Sequence, residues 1–258
     1  SAVGPVVDIH SHFLPGLDDG ARTVEDAVAM IEMAAADGTT HLVGTPHWND
    51  RYEFSLERNR ALREELQARA GSGIALMTGC DFHLSYENVQ AALADPRTYS
   101  VNQGAYLLTE FDNFSIAPQM VDVFYKLRGA GLTSIVTHPE RNPILQKSGA
   151  KLLRKLAEMG CPIQVTAGSF LGRFGTTARD VAEELLRQRL VHLVASDAHD
   201  TEKRPPRLSE ARAWMEQNHG AELAQALFVD NPRAVVDSQP LPYFPDPAAP
   251  KKKRFWFF

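Results

Sequence analysis

The sequence has few cysteines and no long apolar run, and both absences limit the kind of protein it encodes. Cys80 and Cys161 are the two cysteines in 258 residues, which excludes a disulfide framework and suits a reducing compartment such as the cytosol. A transmembrane helix needs about 18 consecutive apolar residues, and no such stretch occurs. The first residues lack the basic and apolar regions of a signal peptide, so we expect residues 1–5 to be a remnant outside the folded domain.

An excess of positive charge is also absent. The formal net charge is −5, which argues against a nucleic-acid partner. The hydrophobic content of 44% and the charged content of 23% are ordinary for a globular protein with a sizeable core. We therefore expect a cytoplasmic protein that does not bind nucleic acid.

Short apolar runs typical of β-strands alternate with helical patterns along most of the chain. Thr23 and Asp26 form a capping-box pattern at the start of the first predicted helix, and Gly38 ends it. Seven strand–helix units are predicted in this way, and no linker divides them. The pattern predicts an α/β fold, a single-domain TIM-like barrel of seven βα units over residues 6–237, one unit short of an ordinary TIM barrel.

The composition changes from Ser238 onward. Five prolines between residues 240 and 250 predict an extended or disordered segment. The last eight residues, Lys-Lys-Lys-Arg-Phe-Trp-Phe-Phe, combine cations with aromatic side chains. We expect residues 238–258 to be a flexible tail whose end is suited to peripheral contact with an anionic membrane surface or a partner.

Side chains that can bind metal ions recur where the predicted strands end. His10 and His12 close the first strand as His-x-His, a spacing that turns both imidazoles to one face. Because the strand ends of a barrel meet at one mouth, we predict a polynuclear metal site that holds two to three ions. The predicted ligands are His10, His12, Asp19, His47, Asp81, Glu110, His138, Asp197 and His199.

Such a site suits chemistry at phosphorus, because pairs of metal ions activate water for in-line displacement. Arg141 and Arg204 follow two of the predicted ligands closely in sequence. Their guanidinium groups match phosphate oxygens and stay charged. Ser169, beside Gly168, is a further candidate for contact with substrate. For each of these residues taken alone, the alternative is an ordinary structural hydrogen bond or surface ion pair.

Several motifs taken together resemble the polymerase-and-histidinol-phosphatase (PHP) superfamily. They are Asp8-x-His10-x-His12, Thr45-Pro46-His47, Thr137-His138-Pro139-Glu140-Arg141 and Ser196-Asp197-Ala198-His199. A further set resembles the bacterial tyrosine-protein phosphatase branch that is linked to capsular and exopolysaccharide synthesis. This set is Leu17-Asp18-Asp19-Gly20, Val165-Thr166-Ala167-Gly168-Ser169 and Arg204-Pro205-Pro206. The likeness spans about residues 6 to 235.

The resemblance implies a distorted seven-stranded barrel with a trinuclear site of manganese, or of iron, zinc or magnesium. It implies that the nine residues above are ligands and that Arg141 and Arg204 hold phosphate. His199 and a metal-bound water are both candidates for the acid that helps the tyrosine oxygen leave. One departure is Asp81, which stands where the family usually has Glu and has a side chain one methylene shorter. The implied substrate is a phosphotyrosine protein, the tail of a membrane-linked tyrosine autokinase.

Other functions remain open at this stage. The thiol mechanism of other tyrosine phosphatases needs Cys-x5-Arg, but Tyr86 and Ala167 stand at that spacing after Cys80 and Cys161. A PHP-type small-molecule phosphatase would act on histidinol phosphate or a nucleotide. An amidohydrolase-like enzyme also opens with His-x-His, although it has no need for two arginines at the mouth. A non-catalytic phosphotyrosine-binding protein would keep the site without turnover.

Overall fold

The strands form a parallel barrel. The structure is a computed structural model that describes residues 4–249, and its strands and helices lie within that range. All six residues of the first strand are buried, as expected for a parallel sheet covered by helices. The strands are β1 (Val6–Ser11), β2 (Thr39–Gly44), β3 (His47–Trp48), β4 (Ala75–Thr78), β5 (Asp81–His83), β6 (Tyr106–Glu110), β7 (Thr133–Thr137), β8 (Ile163–Thr166) and β9 (Leu193–Ala195).

Helices alternate with the strands along the chain, as βα units require. The predicted capping box is confirmed, since Thr23 Oγ1 accepts a hydrogen bond from the Asp26 amide at 3.1 Å. A short 3-10 helix at Pro139–Arg141 and a π-helical segment at Ala226–Asp230 add to them. The α-helices are α1 (Val24–Ala36), α2 (Leu56–Ala70), α3 (Tyr86–Ala94), α4 (Met120–Gly129), α5 (Pro143–Ser148), α6 (Ala150–Glu158), α7 (Ala167–Phe170), α8 (Thr176–Arg187), α9 (Ser209–His219), α10 (Ala221–Gln225) and α11 (Asn231–Val236).

The nine strands of residues 4–249 occupy seven places around the barrel, as the sequence predicts, because two of the seven are each divided into two short strands. Thr45-Pro46 separates β2 from β3, and Gly79-Cys80 separates β4 from β5. Pro46 has no backbone N–H and cannot continue a hydrogen-bonded ladder. The strands therefore fall into two parallel sheets, with orders β1-β2-β4 and β3-β5-β6-β7-β8-β9. These breaks account for the distorted form of the barrel.

The first and last strands meet and close the barrel. The Asp197 amide donates to the His10 carbonyl at 2.9 Å, and the His12 amide donates to the Ala198 carbonyl at 2.8 Å. These bonds lie at the carboxyl ends of β1 and β9. The closure therefore brings the His-x-His of the first strand next to the Asp-x-His that follows the last one.

The prediction of a flexible tail is wrong for residues 238–249. Residues 238–249 contain no helix or strand, as the prolines predict, but they contact the barrel. Asn231 exchanges two hydrogen bonds with the backbone of Tyr243, and the Phe244 ring stacks on His192 with centroids 4.2 Å apart. The Tyr106 hydroxyl donates to the Gln239 carbonyl at 2.7 Å. The basic and aromatic end, residues 251–258, lies outside the described residues.

Candidate metal centre

All nine predicted ligands converge at the mouth of the barrel, where the strands have their carboxyl ends. They form four overlapping groups, and within each group the ligand atoms lie within 4.8 Å of one another. The groups are His12–Asp19–His47–His199, His10–His138–Asp197, His10–His12–Asp81 and His47–Asp81–Glu110. Four residues each belong to two of these groups: His10, His12, His47 and Asp81. The four groups therefore form one continuous cluster.

Two of the clustered residues sit on strained backbone directly after their strands. His138 has a φ of 32° and Asp197 a φ of 50°, in the left-handed region that residues other than glycine seldom adopt. Such a conformation costs on the order of 1–3 kcal/mol and persists where the surrounding structure enforces it, often at functional sites. It turns both side chains into the cluster as the chain leaves β7 and β9.

Buried hydrogen-bond acceptors orient two of the histidines. The Gln164 Oε1 oxygen lies 2.9 Å from His10 Nδ1, and an Asp18 carboxylate oxygen lies 2.7 Å from His12 Nδ1. Since both partners accept, each Nδ1 carries a proton, which leaves each Nε2 as the nitrogen that faces the cluster and could bind a metal ion. Metal-binding histidines are commonly held in this way by a partner behind the ring.

His199 is oriented by the backbone instead. Its Nδ1 donates to the Asp197 carbonyl at 2.8 Å, and its Nε2 lies 3.2 Å from Asp19. Burial lowers the pKa of His199, and the neighbouring His12 adds to this effect. A neutral His199 with its proton on Nδ1 presents an unprotonated Nε2 to the cluster.

The carboxylates are crowded in a manner that cations would relieve. Burial opposes ionisation of Asp81, but His47 and His10 together outweigh it and hold its pKa well below the ordinary value. Burial and the Asp81 charge raise the pKa of Glu110 well above its ordinary range. Asp81 Oδ1 is buried and has no hydrogen-bond partner among the described residues. The residues present therefore fit bound metal ions, which would satisfy this oxygen and neutralise the crowded acids.

Cys80 precedes Asp81 but takes no part in the cluster. Its side chain is fully buried within the main apolar core, and burial together with the Asp81 charge raises the pKa of the thiol well above its ordinary value. A protonated thiol is neither a ligand nor a nucleophile. The donors in the four groups are accordingly nitrogen and oxygen atoms, which suit manganese, iron and zinc.

We predict that Cys80→Ser keeps most of the wild-type kcat on a phosphate ester. The melting temperature should fall by several degrees, because a hydroxyl replaces a thiol in an apolar cluster at a cost of about 1–3 kcal/mol. Steady-state kinetics and thermal melts check this pair of effects. A loss of kcat comparable to that of a ligand variant would mean that the thiol takes part in the chemistry.

The two predicted arginines meet at one carboxylate. Arg141 Nη1 lies 2.6 Å and Arg204 Nη2 2.7 Å from the same Asp197 oxygen, Oδ2. The Arg141 guanidinium carbon also lies 4.0 Å from the centroid of the Phe174 ring, and that of Arg204 lies 5.6 Å from it. The Phe174 ring therefore lies within cation–π distance of both guanidinium groups.

We predict that Phe174→Leu lowers kcat/KM on p-nitrophenyl phosphate about 3- to 10-fold, mainly through KM. The reason is that a cation–π contact contributes about 0.5–2 kcal/mol and here positions a phosphate-binding group. Phe174→Tyr keeps the ring and serves as the matched control. Equal kinetics for the Leu and Tyr variants would contradict the role of the ring.

Ser169 does not reach the mouth, which corrects the expected contact with substrate. Its side chain is fully buried, and its hydroxyl donates to Glu140 Oε1 at 2.9 Å. The Thr166 amide donates to the same oxygen at 2.9 Å. The polar groups at the end of β8 thus bind Glu140 and fix the turn that carries Arg141. Gly168 has a different role: a Cβ there would lie 3.1 Å from the Phe174 ring, so the absence of a side chain lets that ring approach.

Three polar residues support the cluster although the sequence analysis assigned no role to them. They are Asp8, Asp18 and Gln164. Asp8 accepts from the Ser196 hydroxyl at 2.5 Å, which links β1 to the loop after β9. Its position two residues before His10 on a strand was a usable signal, because alternate residues share a face. The adjacent pair Asp18-Asp19 suggests that a carboxylate enters the site, but the sequence does not show which of the two does so. No sequence signal singled out Gln164.

Comparison with known proteins shows the family of this chain. Residues 6–237 match the family described as capsular polysaccharide synthesis, CpsB/CapC. The chain belongs to the CpsB/CapC family. One member, the tyrosine-protein phosphatase YwqE of Bacillus subtilis (strain 168), is 31% identical over 98% of this chain and 100% of its own length. Another, the tyrosine-protein phosphatase CpsB of Streptococcus pneumoniae, is 27% identical over 91% of this chain and 99% of its own length.

Solved structures confirm the fold of this CpsB/CapC protein. A crystal structure from work on YwqE of B. subtilis and CpsB of S. pneumoniae, described as metal-dependent tyrosine phosphatases, superposes with a TM-score of 0.87. That match has 30% identity and covers 95% of this chain and 100% of the other. A β-aspartyl dipeptidase from Fervidobacterium islandicum, 15% identical with a TM-score of 0.58, covers 89% of this chain and 72% of the other, and shares the barrel fold alone. Between residues 4 and 249, no helix has the length and apolar character needed to cross a bilayer.

Proposed function

We propose that this protein is a metal-dependent protein-tyrosine phosphatase. The observation that carries the proposal is the joint position of nine clustered nitrogen and oxygen donors and two arginines that meet at Asp197. Relatives of this chain that cover nearly all of it are named tyrosine-protein phosphatases. A metal site beside two guanidinium groups is suited to a phosphate ester.

The donor set has room for two to three divalent or trivalent ions. We expect manganese first, with iron, zinc or magnesium as the alternatives, because the donors are imidazoles and carboxylates. Bound there, such ions would supply Lewis acidity toward the phosphoryl group and would activate water. The proposed ligands are His10, His12, Asp19, His47, Asp81, Glu110, His138, Asp197 and His199.

The chain's own residues bind and orient the substrate phosphate. Arg141 and Arg204 approach the cluster from one side, where their N–H groups can donate to the phosphate oxygens and stabilise the charge that develops in the transition state. His199 holds its proton on the nitrogen that faces the Asp197 carbonyl, so we propose it as a ligand and not as the general acid. A tyrosine phenolate leaves with a pKa of about 10, so a strong acid is not required.

We propose a tyrosine-phosphorylated protein of the capsule-synthesis machinery as the natural substrate, such as the tail of a tyrosine autokinase. The family match to capsular polysaccharide synthesis supports this proposal. Cytoplasmic location is part of it, because Cys80 and Cys161 are unpaired and buried, as suits a reducing compartment. Peripheral membrane contact through the basic and aromatic end would depend on residues outside the described range.

The experiment that tests the proposal compares substrates and metal states. Turnover of a phosphotyrosine peptide, histidinol phosphate and a nucleotide monophosphate is measured before and after chelation, and again after metal is restored. The proposal predicts the highest kcat/KM for the peptide, loss on chelation and recovery with metal. Faster turnover of histidinol phosphate or the nucleotide would indicate a small-molecule phosphatase, and absence of phosphate release with every metal would indicate a binding protein.

A further inference from the structure

A small cavity adjoins the arginine pair, between the loops that follow β8 and β9. Its volume is about 60 Å³. Arg204 lines it and also reaches Asp197 in the metal cluster, so the cavity and the mouth share a side chain. Its cationic lining residues are Arg173, Lys203, Arg204 and Arg207. Four cations around one cavity, in a chain with a net charge of −5, indicate a place that attracts negative charge.

Two of these four cations have an acidic partner among residues 4–249, and two have none; Arg204 is paired with Asp197. Arg173 forms an ion pair with Glu210 at 2.5 Å. Lys203 and Arg207 are exposed, and neither has a side-chain ion pair with another of the residues 4–249. An exposed cation without an ion pair contributes little to the free energy of unfolding, so the charges of Lys203 and Arg207 have no evident structural role. Both side chains are therefore available to bind an anion at the mouth.

A second cavity at the mouth has the reverse character. Its volume is about 330 Å³, and it lies between the loop after β1 and the loop after β9. Asp19, Asp26 and Asp200 line it together with a single cation, Arg22. The second negative group of a substrate would be repelled by this acidic cavity and attracted to the cationic one.

We propose that Lys203 and Arg207 form an anion-binding subsite for a second negative group on the substrate, one or two residues from the phosphotyrosine. The proposal rests on the protein-tyrosine phosphatase function proposed above. An extended peptide advances about 3.3 Å per residue, so side chains two residues apart are about 7 Å apart along the chain and can occupy adjoining sites. The anion is either an aspartate or glutamate carboxylate or a second phosphotyrosine.

The test compares three peptides of equal length on the metal-loaded enzyme. One has a phosphotyrosine with neutral flanks, the second has glutamates beside the phosphotyrosine, and the third has a second phosphotyrosine two residues away. Phosphate release gives kcat/KM, and fluorescence anisotropy with the corresponding non-hydrolysable phosphonate peptides gives Kd. The variant is Lys203→Ala with Arg207→Ala. The matched control is Lys126→Ala with Lys151→Ala, which removes two exposed cations from α4 and α6.

For the wild type we expect kcat/KM and affinity about 3- to 20-fold higher for the anionic peptides than for the neutral one at low ionic strength, because each exposed charge contact contributes a factor of up to about five. The ratio of kcat/KM for an anionic peptide to that for the neutral peptide should fall toward one in Lys203→Ala with Arg207→Ala. High salt should lower the same ratio, while the double variant turns over the neutral peptide as the wild type does. The control should keep the preference. Preference for the glutamate peptide, the doubly phosphorylated one or both identifies the anion.

Equal treatment of all three peptides by the wild type, or a preference that survives in Lys203→Ala with Arg207→Ala, would overturn the subsite. This outcome is separate from failure of the proposed function. If the phosphonate peptides show the charge preference but no phosphotyrosine peptide is hydrolysed, then the subsite stands and the phosphatase assignment falls. If every peptide is hydrolysed equally well, then the assignment stands and the subsite falls.

Discussion

Asp197→Asn should lower kcat for a phosphotyrosine peptide by at least about 10³-fold, equivalent to about 4 kcal/mol in the activation barrier. Its carboxylate lies between the two halves of the site. One oxygen is 3.2 Å from His10 Nε2 and 3.1 Å from His12 Nε2, and the other accepts from Arg141 and Arg204. Asparagine keeps the shape but removes the charge that the metal ions and both arginines require. Steady-state kinetics with metal in excess measure the effect.

The control for this variant must separate loss of function from loss of fold. Breaking a buried charge pair on one side costs about 3–5 kcal/mol of stability, so the melting temperature of Asp197→Asn is measured alongside kcat. Asp122→Asn, an exposed acid on α4, is the matched substitution and should leave both quantities unchanged. A folded Asp197→Asn protein with near wild-type kcat would show that the carboxylate has no part in the reaction.

The second large effect is expected for Arg141→Ala combined with Arg204→Ala. Removal of one preorganised donor to a developing charge costs about 10²- to 10³-fold, and here two are removed, so kcat/KM should fall by at least about 10³-fold. Metal content should not fall, because the arginines compete with cations for Asp197. Kinetics and elemental analysis on the same preparation check both statements.

The arginine variant also separates phosphate chemistry from C–N bond hydrolysis on the shared barrel fold. Arg69→Ala with Arg187→Ala removes two exposed helix arginines paired with nearby glutamates and is the control for net charge. Retention of full activity without Arg141 and Arg204 would mean that the site does not need to hold phosphate. An amidohydrolase-type reaction would then be the better account.

The sequence was sufficient for the barrel and the composition of its mouth, because both follow from local patterns. Strand-length apolar runs that end in His, Asp or Glu predict parallel strands whose ends meet, and the groups around Asp81 lie where that pattern requires. The split strands were not predictable in the same way. Pro46 signals a break, but the point at which a ladder moves from one sheet to another depends on how the neighbouring strands pack.

Other features depended on long-range contacts that no local pattern contains. Ser169 follows a strand as the other site residues do, yet its hydroxyl is used by the buried Glu140, which comes 29 residues earlier. The proline-rich segment looks unstructured by composition, but Tyr243 and Phe244 give it apolar area to bury against the barrel. Composition describes the average tendency of a segment, whereas a few anchoring side chains decide whether it packs.

The most direct test of the central claim is a metal titration of the chelated protein, with elemental analysis and phosphotyrosine-peptide turnover measured at each step. The account predicts two to three ions bound per chain when saturated, with turnover absent in the chelated protein and restored as the ions bind. His10→Ala should lose bound metal and turnover together. Full turnover by protein that contains no metal, or restored turnover without stoichiometric binding, would contradict the account.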